Sequence, residues 1–157
     1  MNTISKTPSR VLSAEDRQNL IKEAFEAKNG AYSPHSHFPV GAALLTSDGT
    51  ITKGASIDNA SYGATMCAEC TAIVKAVSEG IRSFTGLAVV GNINSTISLC
   101  GICRQVLKEF CSEDMPILLI PGDYPQKLEP KVGYTEGGVK ETTLGALLPE
   151  SFGPPSN

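Results

Sequence analysis

An α/β layer fold built around one core is predicted by three observations. Helical-period segments alternate with short β-type runs, several of those runs are separated by stretches long enough to hold a crossover helix, and 157 residues with 41% hydrophobic content suffice for one core but not comfortably for two. Residues 1–12 read as a mobile tail and 13–157 as a single domain. Ser13 followed by Asp16 is an S-x-x-D helix start, and Leu20, Ile21, Ala24 and Phe25 fall on one face of the helix it opens, which ends near Asn29 and Gly30. Two β-type runs, 38–45 and 50–57, flank Ser47-Asp48-Gly49, and Asp-Gly between such runs is a strong hairpin signal. Cys67 then opens a helical stretch carrying Ala72, Ile73, Ala76 and Val77 toward the core and ending at Gly80. Residues 84–90 form an apolar β run, 100–110 a further helix and 116–120 another strand. The Pro- and Gly-rich 121–140 reads as a long loop with room for a short strand, and 142–148 as a last short helix before the tail PESFGPPSN.

Composition narrows the function classes. A net charge of −3 and a pI near 5.4 argue against a surface that binds nucleic acid, because that affinity rests on Lys and Arg neutralising phosphates. The N-terminus MNTISKTPSR has no apolar h-region, and no later apolar run approaches the roughly 20 residues that span a bilayer, so no membrane role is expected and a cytoplasmic location is. Of five cysteines, four sit in two C-x-x-C elements, a pattern that fits metal binding in a reducing compartment better than a disulfide framework; Cys111 reads as a small buried hydrophobe.

The two elements are TMCAECTAI at 65–73 and SLCGICRQV at 98–106. Paired C-x-x-C can close a four-thiolate structural zinc site, whereas Cys-Ala-Glu followed by C-x-x-C points to a three-thiolate zinc with a carboxylate beside it. Both elements fall where a loop enters a helix, and backbone N–H groups there stabilise thiolates. A structural staple has no need of Glu69, two residues after a candidate ligand. A hydrolytic site does, since three protein ligands leave zinc a fourth position for water and a carboxylate can move that water's proton. Spacing alone leaves the staple and the enzyme both open.

Beyond the cysteines, AYSPHSHFPVGAALL at 31–45, CAE at 67–69, CGICRQ at 100–105 and LLPESFGP at 147–154 together resemble the cytidine deaminases of the homotetrameric type, over about residues 14–154. The resemblance implies a three-layer α/β/α fold with a mixed central sheet and one zinc per subunit on Cys67, Cys100 and Cys103. It implies hydrolytic loss of the C4 amine of a pyrimidine nucleoside, with Glu69 shuttling the proton. Phe38, Ser56, Asp58, Tyr62, Ala68 and Ser98 fall at its substrate-binding positions, and Phe152 at the position that reaches into a neighbouring subunit's pocket, which implies a homotetramer with shared active sites. His35 and His37 read as loop groups and not as ligands.

Three departures from the family pattern stand out. Cys70 replaces the usual arginine of C-A-E-R, leaving Arg104 as the remaining candidate to offset the charge of three thiolates on one dication. Cys70 itself reads either as a thiol beside the site that binds no metal or as a fourth ligand that would close it. Ser56 and Asp58, in ASIDNA, stand where the family reads the sugar with Asn and Glu, and each is one step shorter. Leu99 replaces the usual proline before C-G-x-C. The leading expectation is therefore a zinc hydrolase acting on cytidine and 2′-deoxycytidine. A deaminase of an analogue such as blasticidin S is the alternative within the same chemistry, and a non-catalytic zinc-stapled binding protein the alternative from another class.

Overall fold

The computed structural model describes residues 11–127 and 131–154. Helix α1 (Ala14–Lys28) begins with the capping box expected from sequence: the Ser13 hydroxyl accepts from the Asp16 N–H, and the Asp16 carboxylate accepts from the Ser13 N–H. Strands β1 (Gly41–Thr46) and β2 (Ile51–Ala55) form the hairpin, with Gly49 in the left-handed region at φ 91° and Asp48 accepting from the Thr50 N–H at 3.0 Å. Helix α2 (Ala68–Ser78), strand β3 (Phe84–Val90), helix α3 (Gly101–Phe110) and strand β4 (Pro116–Ile120) follow, then strand β5 (Lys140–Thr143) and helix α4 (Leu144–Leu147).

The strands join in one sheet of order β2-β1-β3-β4-β5. β1 is antiparallel to β2 and to β3, β3 is parallel to β4 across the α3 crossover, and β5 closes the edge antiparallel to β4. The alternation of side chains sorts the sheet into two apolar faces. Ala42, Leu44, Leu87, Val89, Ile117 and Leu119 meet Ala72, Ile73, Cys103 and Leu107 of α2 and α3, while Ala43, Leu45, Ala88, Val90, Leu118 and Ile120 meet Leu20, Ile21 and Ala24 of α1. That is the three-layer α/β/α arrangement, and its mixed sheet is covered on both sides, which is why β1, β3 and β4 are buried without interruption and largely apolar.

The structure corrects several boundaries. The hairpin strands are shorter than 38–45 and 50–57, because residues 38–40 remain outside the strand, with Val40 tied to Ser56. Thr142 and Thr143 belong to β5 instead of the last helix, pairing with Ile117 and Pro116, and helix begins only at Leu144, where the Thr143 hydroxyl accepts from Ala146 N–H. Most of the expected tail, residues 1–10, lies outside the described residues, as do 155–157. Cys111 is buried in the α2/α3 core as expected.

One close approach sets the stage for the site. A Cβ on Gly54 would lie 2.3 Å from the Ala68 carbonyl oxygen and 2.4 Å from the Ala72 nitrogen, so glycine on β2 is what lets the first turn of α2 press onto the sheet.

Candidate active site

Two helix N-termini converge on one cluster of sulfurs. Cys67 is the N-cap of α2 and Cys100 the N-cap of α3, each with extended backbone, and the Cys100 Sγ accepts from the Cys103 N–H at 3.4 Å. Cys67 Sγ and Cys100 Sγ are 3.8 Å apart, Cys100 and Cys103 3.4 Å, and all three sulfurs lie within 4.8 Å of one another. Two sulfurs on a tetrahedral zinc at about 2.3 Å stand about 3.8 Å apart, so the donor set fits that metal in both chemistry and spacing. Caps leave N–H groups free in the first turn of a helix, and here two such turns direct their positive ends at the thiolates. Cys103 is fully buried, Cys67 half-buried and Cys100 exposed, so the cluster opens to one side only.

Proton sharing within the cluster is visible in its acidities. Hydrogen bonds from Cys103 and Cys100 hold Cys67 down to about 6 against the effect of burial, whereas the Cys103 thiol is pushed up by the bond it gives Cys67 and by its burial. Metal binding requires all three as thiolates.

Glu69 lies in the first turn of α2, two residues from the Cys67 cap, and is 5% exposed. Burial pushes its carboxyl up to about 7 and the neighbouring Cys67 thiolate adds to the rise, against hydrogen bonds from its own N–H and from Cys103. Cys70 is in the same turn but belongs to the apolar core with Ala42, Leu44 and Leu99; its thiol meets the Cys103 sulfur at 3.5 Å and it is not one of the three clustered cysteines. Arg104 does not turn to the sulfurs in its hydrogen bonds. Its Nε donates to the Leu99 carbonyl at 2.8 Å, one terminal nitrogen to the Leu147 carbonyl at 2.6 Å and the other to the Ser98 hydroxyl at 3.0 Å, which fastens the Cys100 loop to the C-terminal segment.

The candidate substrate residues divide into two groups. Ser56 and Asp58, at the exit of β2, hold the 33–40 segment: the Asp58 carboxylate accepts from the N–H groups of His35 at 3.0 Å and Ser36 at 2.7 Å and from the Ser36 hydroxyl at 3.1 Å, while Ser56 Oγ accepts from Val40 N–H at 3.0 Å. These bonds hold Asp58 below the usual carboxylate range, the Ser36 N–H contributing most. The segment they brace carries Phe38, whose ring edge lies where a Cβ on Gly91 would come within 3.3 Å of it, so the glycine after β3 makes room for the ring. Asp58 also lines a shallow cavity of about 310 Å³ with His35, Ser36, Tyr62 and Thr65. Ala68, fully buried, is the first residue of α2 beside Cys67; Ser98 is exposed on the loop before Cys100. The second group is mostly exposed: Tyr62 at 76%, its ring 6.3 Å from that of His35, and Phe152 at 80%, its backbone carbonyl accepting from the Gln105 side chain at 3.4 Å. His35 and Thr65 were not singled out as substrate residues by sequence, and the pairing of His35 with Asp58 across 23 positions has no local signal in the chain.

A model of the cytidine and deoxycytidylate deaminase zinc-binding region matches residues 14–119. The chain belongs to that family. A cytidine deaminase of Halalkalibacterium halodurans is 47% identical over 137 residues, which cover 87% of this chain and 94% of that protein. One of Sporosarcina psychrophila is also 47% identical, over 87% of this chain and 91% of its own length. Among solved structures, the cytidine deaminase of Burkholderia pseudomallei matches with a TM-score of 0.75 at 39% identity, covering 86% of this chain and 98% of that one. A more distant relative is the blasticidin-S deaminase of Bacillus cereus, 29% identical over 66% of this chain and 79% of that protein. The family read from the motifs is thus borne out, as are the layered α/β fold and zinc as the metal of the Cys67, Cys100 and Cys103 cluster.

Proposed function

We propose that the protein is a zinc-dependent hydrolase that converts cytidine and 2′-deoxycytidine to the uridine products with release of ammonia. One observation carries this: a buried carboxyl, Glu69, in the first turn of the helix whose cap, Cys67, belongs to a three-cysteine cluster exposed on one side. A closed structural staple would leave that buried carboxyl without a purpose. Bound zinc would supply Lewis acidity, allowing a water to lose its proton near neutral pH. Glu69 takes a proton from the attacking water and passes it to N3 of the pyrimidine as oxygen adds at C4, then takes the proton of the added C4 hydroxyl and delivers it to the amine, so that the C4–N bond breaks, the C4 carbonyl forms and ammonia leaves. Phe38 offers a ring face to the base, while Ser56 and Asp58 secure the segment that carries it and Asp58 opens onto the cavity beside it.

The exposed aromatic side chains Tyr62 and Phe152, with Ile102 at 75% exposure on the first turn of α3, support an assembly in which a second copy covers them. The proposed form is a homotetramer whose sites draw on more than one chain, with a cytoplasmic location. Among the described residues no helix is long and apolar enough to cross a membrane.

Ammonia release from cytidine, 2′-deoxycytidine, cytosine and blasticidin S tests the reading. Turnover of the two nucleosides, with free cytosine refused, is the expected result. Preference for blasticidin S would favour the second reading, which the Bacillus cereus relative supports and which fits the commitment of Ser56 and Asp58 to backbone N–H groups. No ammonia from any of the four would refute both.

A further inference from the structure

We propose that Cys70 is a positioning residue whose thiol donates a hydrogen bond to the Cys103 sulfur and so tempers a metal-ligating thiolate without itself binding the metal. The inference rests on the zinc reading above and concerns a residue to which the proposed reaction gives no task. Cys70 Sγ is 3.5 Å from Cys103 Sγ, and the two residues are 5% and 0% exposed, so no solvent competes for the contact. A ligating sulfur has lost its proton, which makes Cys70 the only possible donor between the two.

Need and geometry agree. Three thiolates on one dication carry a net negative charge, and at the fully buried Cys103, where water cannot offset it, hydrogen bonds to the ligand decide how much of it reaches the metal. Arg104, one residue past Cys103, has its guanidinium taken up by Leu99, Leu147 and Ser98. The N–H groups of the two helix starts supply part of the compensation, and Cys70 supplies a further donor to Cys103, the ligand most deeply buried. Ligation by Cys70 is disfavoured by position: the three sulfurs that all lie within 4.8 Å of one another are those of Cys67, Cys100 and Cys103, and the Cys70 sulfur is outside that group.

The test is cobalt(II) substitution in the wild-type protein, Cys70→Ala and Cys70→Ser, together with competition for zinc against a chromophoric chelator. The sulfur-to-cobalt charge-transfer intensity counts thiolates, and its energy reports hydrogen bonding to them. Wild type and Cys70→Ala are expected to show equal, three-thiolate intensity, with the band of Cys70→Ala moved to lower energy because an unbonded thiolate gives up its electron more readily. Zinc should be held at least as tightly in Cys70→Ala, and Cys70→Ser, with an O–H donor, should move the band back toward wild type. An intensity loss of about a quarter in Cys70→Ala would make Cys70 a fourth ligand and overturn the proposal. Superposable spectra in wild type and Cys70→Ala would reduce Cys70 to packing and overturn it equally. A wild-type protein that takes up neither metal at these cysteines would instead overturn the zinc reading on which it stands.

Discussion

Gly54→Ala tests the link between fold and site. The glycine lies within β2, and strand geometry is open to alanine, so the substitution brings in a methyl group without backbone strain. That methyl would sit 2.3 Å from the Ala68 oxygen and 2.4 Å from the Ala72 nitrogen, where ordinary contact begins at 3.4 Å. Both obstacles are backbone of α2, so no side chain can swing aside, and the first turn of the helix must retreat by about 1 Å. Overpacking of this kind costs about 1–3 kcal/mol, or roughly 2–12 °C in melting temperature for a domain of this size. The same movement displaces Cys67 and Glu69, and a misplacement of about 1 Å can cost on the order of 100-fold in rate. Thermal unfolding followed by circular dichroism, zinc content and cytidine turnover on the same preparation give the three readings. A variant that melts with the wild type and turns over at full rate would show that α2 is not held where the contact with Gly54 implies.

Arg104→Gln removes the fork that ties Leu99 and Ser98 to Leu147; it should lower the melting temperature, about 1–3 kcal/mol for the part-buried acceptors left behind, and weaken substrate binding more than zinc binding. Asp58→Asn should be less stable than wild type at neutral pH. The sign follows from the depressed acidity of Asp58: its stabilisation is present above the unfolded-state value and is lost as pH falls through the folded one, so the gap between the two proteins should close on acidification, as chemical denaturation at several pH values would show. Removing residues 149–157 should raise KM and loosen the proposed tetramer while leaving the monomer fold intact by circular dichroism; light scattering on an active monomer insensitive to this loss would defeat the proposed shared-site assembly.

The sequence made the elements legible where one physical signal dominated. Strands 84–90 and 116–120 match their observed limits because both are dominated by apolar residues, and Ser13 with Asp16 marks the start of α1 because a capping box is purely local. Residues 38–40 resemble strand in composition but stay outside β1, with Val40 bonded to Ser56 beyond the end of β2 and the Phe38 N–H to the Ser36 hydroxyl that Asp58 holds, and Thr142 and Thr143 become strand only because β4 offers an open edge. In the site, Cys67, Glu69, Cys100 and Cys103 could be read from spacing and resemblance, since helix caps fix the cysteines locally. The partners of Cys70, Arg104 and Asp58 could not, because each is chosen by tertiary contact: a sulfur 33 residues away for Cys70, a carbonyl 43 away for Arg104 and backbone N–H groups 22 and 23 away for Asp58.

The most direct measurement joins zinc content with ammonia release in Glu69→Gln. Glutamine has nearly the volume and shape of the carboxyl it replaces, so the buried seat on α2 should be kept, and the three thiolates that hold the metal are untouched. What is lost is the ability to take and return a proton, worth about 100- to 10,000-fold in rate, or roughly 3–5 kcal/mol of transition-state stabilisation. One zinc per chain, unchanged melting and a fall in kcat for cytidine of at least about 100-fold is the predicted outcome. Full zinc with undiminished ammonia release would contradict the role of Glu69 as the proton shuttle.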